Sequence, residues 1–323
     1  MENLNEKTKT ARLSIASNTI LTLGKLGVGI SMNSVSVISE AIHSGLDLLA
    51  AILAFLSVRE SAKPADERHQ YGHGKFENLA SITEAILILV AAGMIIYNAY
   101  PKIFRGVEVH SLGLGSIVMG VSAVVNFFVS RELMRVARKT ESPALAADAW
   151  HLRTDVYTSL GVLAGIVAIK LTGLAIIDPL IAIAVALLIV KAGIDLIRDS
   201  VQSILDANLP EEDEEVIRDI LREHSSSYVE FHNLRTRKAG SQRYVDLHLV
   251  VPSEWAINTV HTLCDHIEAD IKARLNDALV LIHTEPCALQ CQDCYRADEG
   301  KKRNIKCEPA KEEAADCRFE PEK

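Results

Sequence analysis

Long apolar runs, separated by short polar segments, dominate the chain up to Arg198. A helix that crosses a membrane needs about 20 mostly apolar residues. Six runs approach or exceed that length: Leu13–Met32, Val35–Val58, Leu79–Tyr100, Leu112–Val129, Leu145–Leu171 and Ala175–Leu196. A large soluble protein with buried helices is the alternative, but six such runs would leave it little polar surface to present to water. The pattern therefore predicts a six-helix transmembrane bundle.

A different periodicity begins near Asp206. Predicted helices there carry apolar residues every three or four positions, and predicted strands alternate apolar and polar residues. The elements, in order, are helix, strand, strand, helix and strand: Glu211–His224, Val229–Arg237, Arg243–Val251, Ser253–Leu275 and Ala278–Thr284. Ser253 is the expected N-cap of the second helix. This α-β-β-α-β order predicts a small α+β domain in which helices cover an open sheet.

These changes in pattern divide the chain into three parts. Residues 1–204 form the predicted transmembrane domain, residues 205–290 the cytoplasmic domain, and residues 291–323 a tail that contains cysteines. The tail is rich in Lys, Glu and Asp, a composition that buries too little apolar surface to fold. We expect it to be flexible.

Basic residues near the ends of the spans predict the orientation in the membrane. One side of the bundle carries Lys7, Lys9, Arg12, Arg59, Lys63, Arg68, Lys75, Arg131, Arg135, Arg138, Lys139 and Arg198. The other side carries only Lys102, Arg105 and Lys170. Loops rich in Lys and Arg face the cytoplasm, so both termini are expected there.

The charge balance bears on possible partners. The net charge is −8, and aromatic residues make up only 5% of the chain. An acidic, aromatic-poor chain without a basic stripe argues against nucleic acid as a partner.

All six cysteines lie in the last quarter of the chain, at Cys264, Cys287, Cys291, Cys294, Cys307 and Cys317. In the cytoplasm these thiols would be reduced and available for metal rather than disulfides. Cys287, Cys291 and Cys294 are the candidate ligands, because the two-residue gap between the last two resembles half of a zinc knuckle. The alternative is a set of reactive tail cysteines without a function.

Two predicted spans contain the same polar motif, His-x-x-x-Asp. His43 and Asp47 lie in the second span, and His151 and Asp155 in the fifth. An offset of four residues places both side chains on one helix face, about one turn apart. Ionisable side chains within a membrane are costly, which makes them functional candidates. Two such helices facing each other would supply two imidazoles and two carboxylates to one site.

This donor set favours a divalent transition metal, with zinc first. Zinc accepts imidazole nitrogen and carboxylate oxygen in a tetrahedron, and two carboxylates neutralise its charge. Magnesium and calcium prefer oxygen cages. Copper(I) prefers thiolates, and no cysteine lies in the spans. The alternative is two unrelated His–Asp hydrogen bonds that lock helices together.

Other polar residues in the spans receive supporting roles. Three are interpreted as interfacial or helix-packing charges: Glu40, Asp148 and Arg153. Three more are interpreted as polar contacts within the bundle: Asn18, Lys25 and Glu84.

Several segments together resemble the cation diffusion facilitator family of metal exporters. They are SEAIHSGLD, PADERHQYGHGKFE, ADAWHLRTD, the Asp178–Pro179 pair, ILDANLP, HNLRTRKAG and VDLHLVVP. The resemblance covers nearly the whole chain. It implies a homodimer of six-helix protomers in a bacterial inner or plasma membrane, with ferredoxin-like, metallochaperone-like cytoplasmic domains. It also implies export of divalent metal from the cytoplasm in exchange for protons.

The same resemblance implies particular metal-binding residues. The transport site maps to His43, Asp47, His151 and Asp155. A loop site maps to Asp66, His69 and His73, and a two-metal site at the dimer interface maps to His232, His248, His261, His283 and Glu285. A structural salt bridge is implied between Lys75 and Asp206. Histidine at position 43 looks like the zinc-selective pattern of animal zinc transporters, which disfavours manganese and leaves cadmium, cobalt, nickel and iron open.

These features lead to an expected mechanism and to its competitors. Zinc binds only deprotonated ligands, so protons arriving from the outer side would displace it as the bundle alternates between two openings. Metal in the cytoplasmic domain would act as a regulator.

A membrane metal sensor that binds without transport is the competing function. A metalloenzyme would need an open water position and a nearby base, and the chain has no HExxH motif, so we do not expect an enzyme.

Overall fold

The computed structural model describes residues 2–31, 35–105, 114–172, 174 and 176–287. The chain separates into two compact units. The first comprises Met1–Ala207 together with the short segment Lys238–Ser241, and the second comprises Asn208–Arg237 and the chain from Gln242 onward. The predicted fold class, a helical transmembrane bundle followed by a small α+β domain, is confirmed.

The first unit is built from six long helices. They are α1 (Glu2–Ser31), α2 (Val35–Ser61), α3 (Lys75–Arg105), α4 (Leu114–Thr140), α5 (Pro143–Thr172) and α6 (Ile177–Ile204). Among the described residues, four helical segments are long and apolar enough to cross a membrane: Asn3–Ser31, Ala41–Ser61, Lys75–Pro101 and Pro179–Ile204. Helix α5 carries charged residues in its first half, which a membrane tolerates where they turn toward other helices.

Helix α5 is packed on several sides, which places its polar motif inside the bundle. It contacts α2, α3, α4 and α6. Its side chains Leu145 and Leu152 are fully buried and share a core cluster with Leu133 of α4. Because α5 is enclosed by these neighbours, its polar side chains face other helices and not lipid alone.

The second unit contains two helices and a three-stranded sheet. Its elements are α7 (Glu211–Glu223), β1 (Glu230–Ala239), β2 (Gln242–Val251), α8 (Ile257–Arg274) and β3 (Ala278–Pro286). The strand order is β1-β2-β3, and β2 pairs with β3 in parallel. One face of β2 alternates inward and buries Val245, Leu247 and Leu249 in the core formed with α7 and α8.

The predicted start of the second helix of this unit is wrong. Helix α8 begins at Ile257, and Ala256 occupies the N-cap position without a side-chain cap. The preceding residues form a turn instead, in which the Trp255 backbone N–H donates to the Pro252 carbonyl at 3.1 Å. Trp255 also packs against the hydrophobic core, so this contact competes with extension of the helix back to Ser253.

Candidate metal centres

The two His-x-x-x-Asp motifs lie close to each other across α2 and α5. His151 Nε2 is 3.1 Å from Asp47 Oδ1, and His43 Nε2 is 3.8 Å from Asp155 Oδ1. Each histidine therefore reaches the carboxylate of the opposite helix. His43 Nε2 also lies 4.0 Å from Asp47 of its own helix. We call these four residues the interhelical cluster.

The interhelical cluster is buried unevenly. The Asp47 side chain is 5% exposed and that of His151 11%, whereas that of His43 is 47% exposed. His151 and Asp47 thus form the enclosed end, and His43 lies at the more accessible end. An ion could enter or leave this cluster past His43 without displacing the buried pair.

The spacing of the donors suits a small divalent ion. A tetrahedral ion with bonds of about 2.0 Å holds its donors about 3.3 Å apart. Ligand atoms of His43, Asp47 and Asp155 all lie within 4.8 Å of one another, so slight closure brings them into bonding range. The two carboxylates would neutralise a 2+ charge, which removes most of the cost of holding it away from water.

A residue that the sequence analysis did not select supports this cluster. Asn126 of α4 donates a hydrogen bond from Nδ2 to Asp155 Oδ2 at 3.2 Å. Its own carbonyl oxygen is buried and has no hydrogen-bond partner among the residues that the structure describes. The only signal in the sequence is one amide within an otherwise apolar run, which does not by itself reveal its partner.

Lys25, interpreted from the sequence as a bundle contact, and Arg153 and Asp148, interpreted as interfacial or helix-packing charges, all contact or lie among other side chains of the bundle. Lys25 of α1 donates to the Ser44 hydroxyl of α2 at 2.7 Å, and both side chains are buried. The guanidinium of Arg153 lies over the ring of Trp150 at 5.2 Å. Asp148 is fully buried, so it lies within the bundle and not at its surface.

A second cluster lies in the segment between α2 and α3, and we call it the loop cluster. Asp66 Oδ2 is 3.3 Å from His73 Nε2, and Asp66 Oδ1 is 3.5 Å from His69 Nδ1. His73 is buried and stacks on Phe76, whereas the other two side chains are about half exposed. The backbone N–H of His69 donates to Asp66 and, with help from the N–H of Arg68, holds the pKa of that carboxyl below its usual value.

The third cluster spans the sheet of the second unit, and we call it the sheet cluster. His232 of β1, His248 of β2 and Glu285 of β3 come from three adjacent strands. Glu285 Oε1 lies 2.7 Å from His248 Nδ1, and Glu285 Oε2 lies 3.4 Å from His232 Nε2. One carboxylate therefore contacts both imidazoles, an arrangement in which it could bridge or share a metal with them.

The other two predicted ligands of this domain differ in their distance from the sheet cluster. His283 lies at its edge: its ring is 4.9 Å from that of His248 and its Nε2 is 3.9 Å from Glu285 Oε1, while its side chain is 65% exposed. His261 lies on α8 and is largely exposed, and its Nε2 lies 3.7 Å from Asp265 Oδ2 of the same helix. The sheet cluster of one chain thus brings together three of the five predicted ligands.

The other predicted residues are the three cysteines at and beyond the end of β3 and the Lys75–Asp206 pair. Cys287 follows β3 and is half-buried, and its backbone N–H donates to the Val251 carbonyl at 2.8 Å. Cys291 and Cys294 lie outside the described residues. Lys75 Nζ lies 2.9 Å from Asp206 Oδ1 and also donates to the Ile204 carbonyl at 3.1 Å.

Comparison with known proteins places both units in one family. Residues 11–205 match the model of the cation efflux transmembrane domain, and residues 209–287 match that of the cation efflux protein cytoplasmic domain. The uncharacterized transporter sll1263 of Synechocystis is 36% identical, over 85% of this chain and 89% of that protein. The cation-efflux pump FieF of Serratia proteamaculans is 30% identical, over 87% of this chain and 93% of that protein.

A plant protein extends the comparison beyond bacteria. Metal tolerance protein C1 of Arabidopsis thaliana is 28% identical, over 88% of this chain and 64% of that protein. The family models together cover most of the chain. The resemblance noted in the sequence is therefore confirmed, and the chain belongs to the cation efflux, or cation diffusion facilitator, family of membrane transporters.

Proposed function

We propose that this transporter exports divalent transition-metal ions from the cytoplasm in exchange for protons, with zinc as its main substrate. The observation that carries the proposal is the crossed pairing of the interhelical cluster, in which each histidine faces the aspartate of the other helix. Two imidazoles and two carboxylates form a donor set that suits zinc. Cadmium, iron or cobalt as the main substrate is the alternative within the same mechanism.

The proposed transport cycle uses His43, Asp47, His151 and Asp155 as alternating metal and proton carriers. Zinc would bind the deprotonated ligands on the cytoplasmic side. Movement of α2 and α5 against each other would then open the cluster to the other side. Protons from that side would occupy the imidazoles and carboxylates and release the ion. The proposal has both termini in the cytoplasm, an orientation that the basic residues near the span ends favour.

We further propose supporting roles for the other clusters. The loop cluster would receive ions before they enter the bundle. The sheet cluster would bind regulatory metal in a homodimer, where the exposed His261 and His283 could complete it with residues of a second copy. The name of the matched cytoplasmic family, a dimer domain, supports this assembly. Cys287, with Cys291 and Cys294, would hold a further soft metal ion.

Metal flux into proteoliposomes tests the transport proposal. Wild type, Asp47→Asn and Asp155→Asn are compared across zinc, cadmium, iron and cobalt, with a proton gradient as the driving force. Glu132→Gln is the matched control, because Glu132 is a carboxylate of the same bundle that pairs on the surface with Arg135. We expect zinc flux in wild type and the control and its loss in both Asn variants.

Two outcomes would count against the proposal. Undiminished zinc flux in Asp47→Asn and Asp155→Asn would refute the site. Saturable zinc binding by the wild type without flux would instead favour a membrane sensor that binds metal and does not move it.

A further inference from the structure

A buried glutamate in the first turn of α3 joins that helix to three other segments of the first unit. Glu77 is 1% exposed. Its Oε1 accepts from Lys7 Nζ of α1 at 3.1 Å and from the hydroxyl of Ser61 of α2 at 2.9 Å. Its Oε2 accepts from the hydroxyl of Ser142, the residue before α5. We call Glu77 and these three donors the carboxylate clamp.

The carboxylate clamp connects the two helices that carry the interhelical cluster. Ser61 is the last residue of α2, and Ser142 directly precedes α5. Because both hydroxyls donate to the same carboxylate, these two helix ends are held close together. Arg59 and Lys75 lie nearby in the sequence, so the clamp is on the basic side of the bundle, which is the proposed cytoplasmic side.

Apolar packing continues from the clamp into the bundle. Val58 of α2 and Leu145 of α5 are fully buried in one core cluster with Ala11 of α1. Apolar contacts are non-directional, so they let two helices slide or tilt against each other. Hydrogen bonds require a defined distance and angle. The clamp is therefore the part of this contact that fixes the position of the two helix ends.

Fold stability alone does not account for a charged clamp. A buried ion pair is often no more stabilising than an apolar pair of similar size, because both charges lose their hydration. A carboxylate can, however, accept from several donors at once, and hydrogen bonds to a charged acceptor are the stronger ones. The Lys7 ammonium is held in turn by the Ser241 hydroxyl at 2.7 Å. Such a group positions several helices relative to each other.

A small motion at the clamp is amplified at the interhelical cluster. Asp47 lies about 21 Å from Ser61 along α2, at about 1.5 Å per residue. A rotation of about 5° about the clamp would move Asp47 by about 2 Å, the length of a zinc–ligand bond. We propose that Glu77 is a positioning residue for transport, which holds the cytoplasmic ends of α2 and α5 together until the cluster opens to that side.

The inference rests on the proposed transport site and on its alternate opening. Weakening the clamp raises the fraction of transporters that are open to the cytoplasm, which lowers the apparent KM for zinc on that side. The return to the closed state becomes less favourable, so the maximal flux falls as well. Partial unfolding would not give this combination, because it removes active transporters and leaves the KM of the others unchanged.

The zinc dependence of initial flux into proteoliposomes tests the inference. Ser61→Ala removes the contact to α2 and leaves the ion pair of the clamp in place. We expect KM and maximal flux each to fall about three- to tenfold, since a hydrogen bond to a charged group shifts an equilibrium by about tenfold. Ser61→Thr, which retains the hydroxyl, should restore both values. Unfolding midpoints are measured for each variant.

Ser57→Ala is the matched control. The Ser61 hydroxyl also lies 3.0 Å from the Val58 carbonyl of its own helix, and Ser57 makes a contact of that kind to the Ala54 carbonyl at 2.8 Å. The control thus removes a buried serine hydroxyl from the same helix without touching the clamp. We expect it to keep the wild-type KM and maximal flux.

A second variant changes the clamp from its other side. Lys7→Met combined with Glu77→Gln removes both charges and leaves neither unpaired, and it should lower the same two constants. An unchanged or raised KM in Ser61→Ala or in the double variant would overturn the inference. Equal changes in Ser57→Ala, or no restoration by Ser61→Thr, would do the same. Absence of zinc flux in wild type would instead refute the proposed function.

Discussion

The interhelical cluster and the sheet cluster use similar donors in different mechanical settings. The donors of the interhelical cluster lie on α2 and α5, two separate helices held together by side-chain packing. Those of the sheet cluster lie on β1, β2 and β3, which are joined by backbone hydrogen bonds. Helices can shift against each other by small rotations, whereas a strand register cannot change without breaking a ladder.

This difference teaches what each cluster can do. A site divided between two movable helices can gain and lose its geometry as the bundle opens in alternate directions, which transport requires. A site fixed on a sheet keeps its geometry, which suits an ion that stays bound and regulates. Similar donors thus support exchange in one region and retention in the other, and mutations should separate the two effects.

The largest expected effect comes from removing a carboxylate of the interhelical cluster. Asp47→Asn should reduce zinc flux by on the order of 100-fold or more, because it removes both a ligand and half of the compensating charge. Glu285→Gln in the sheet cluster should reduce flux far less. The initial rates of zinc uptake into proteoliposomes are measured for both variants and for wild type. Equal losses in the two variants would show that the sheet cluster takes part in each transport cycle.

The next effect concerns the ligands of the sheet cluster. In a chain that already carries Asp47→Asn and Asp155→Asn, His232→Ala should weaken zinc binding roughly 10- to 100-fold, since His232 lies 3.4 Å from Glu285. His261→Ala is the matched variant, because His261 is largely exposed and lies apart from the cluster. Isothermal titration calorimetry measures the zinc dissociation constants of the two variants at protein concentrations low enough to limit dimerisation. A larger loss in His261→Ala would mean that the site forms mainly between two copies.

Local periodicity is what made much of this fold predictable. A four-residue offset on a helix fixes which side chains share a face, so the pairing of His43 with Asp47 could be anticipated from the sequence. The strands were located for the same reason, since alternation is a local signal. The boundary of α8 was missed because the Pro252–Trp255 turn depends on Trp255 packing against a core built from distant residues.

Contacts between different helices and strands were harder to predict from the sequence. The parallel pairing that sets His248 beside His283 depends on the crossover through α8, and nothing in either strand specifies that register. The hydrogen bond from Asn126 to Asp155 depends on how α4 packs on α5. Within the described part of the chain, the carboxylate oxygens of Glu84 have no hydrogen-bond partner, which is likewise visible only once the neighbours on other helices are known.

The hydrogen bond from Asn126 provides a smaller test of the interhelical cluster. A hydrogen bond to a charged group contributes about 1.5 kcal/mol or more, so Asn126→Ala should weaken zinc binding on the order of 10-fold. Asn126→Ser, which retains a shorter donor, should lose less. Zinc titrations of both variants, with unfolding midpoints measured alongside, separate a binding effect from a general loss of stability. Unchanged affinity in Asn126→Ala would show that packing alone positions Asp155.

The smallest effect is expected at Lys75 and Asp206, outside both clusters. Their side chains are 38% and 50% exposed, and exposed pairs contribute less than about 1 kcal/mol. Asp206 has a positive φ of 58°, a conformation that Asn also tolerates but that is strained for Ala. Asp206→Asn therefore removes the charge without adding backbone strain.

A double-mutant cycle of Lys75→Met and Asp206→Asn, measured by denaturant unfolding in detergent, should give a coupling free energy below about 1 kcal/mol. Asp206→Ala should destabilise more than Asp206→Asn, by about 1 kcal/mol, through its backbone. A coupling free energy of several kcal/mol would contradict the prediction that Lys75 and Asp206 form a solvent-exposed ion pair of small stabilising effect. Such a coupling would mean that this ion pair is desolvated in the working transporter and contributes far more than its exposure predicts.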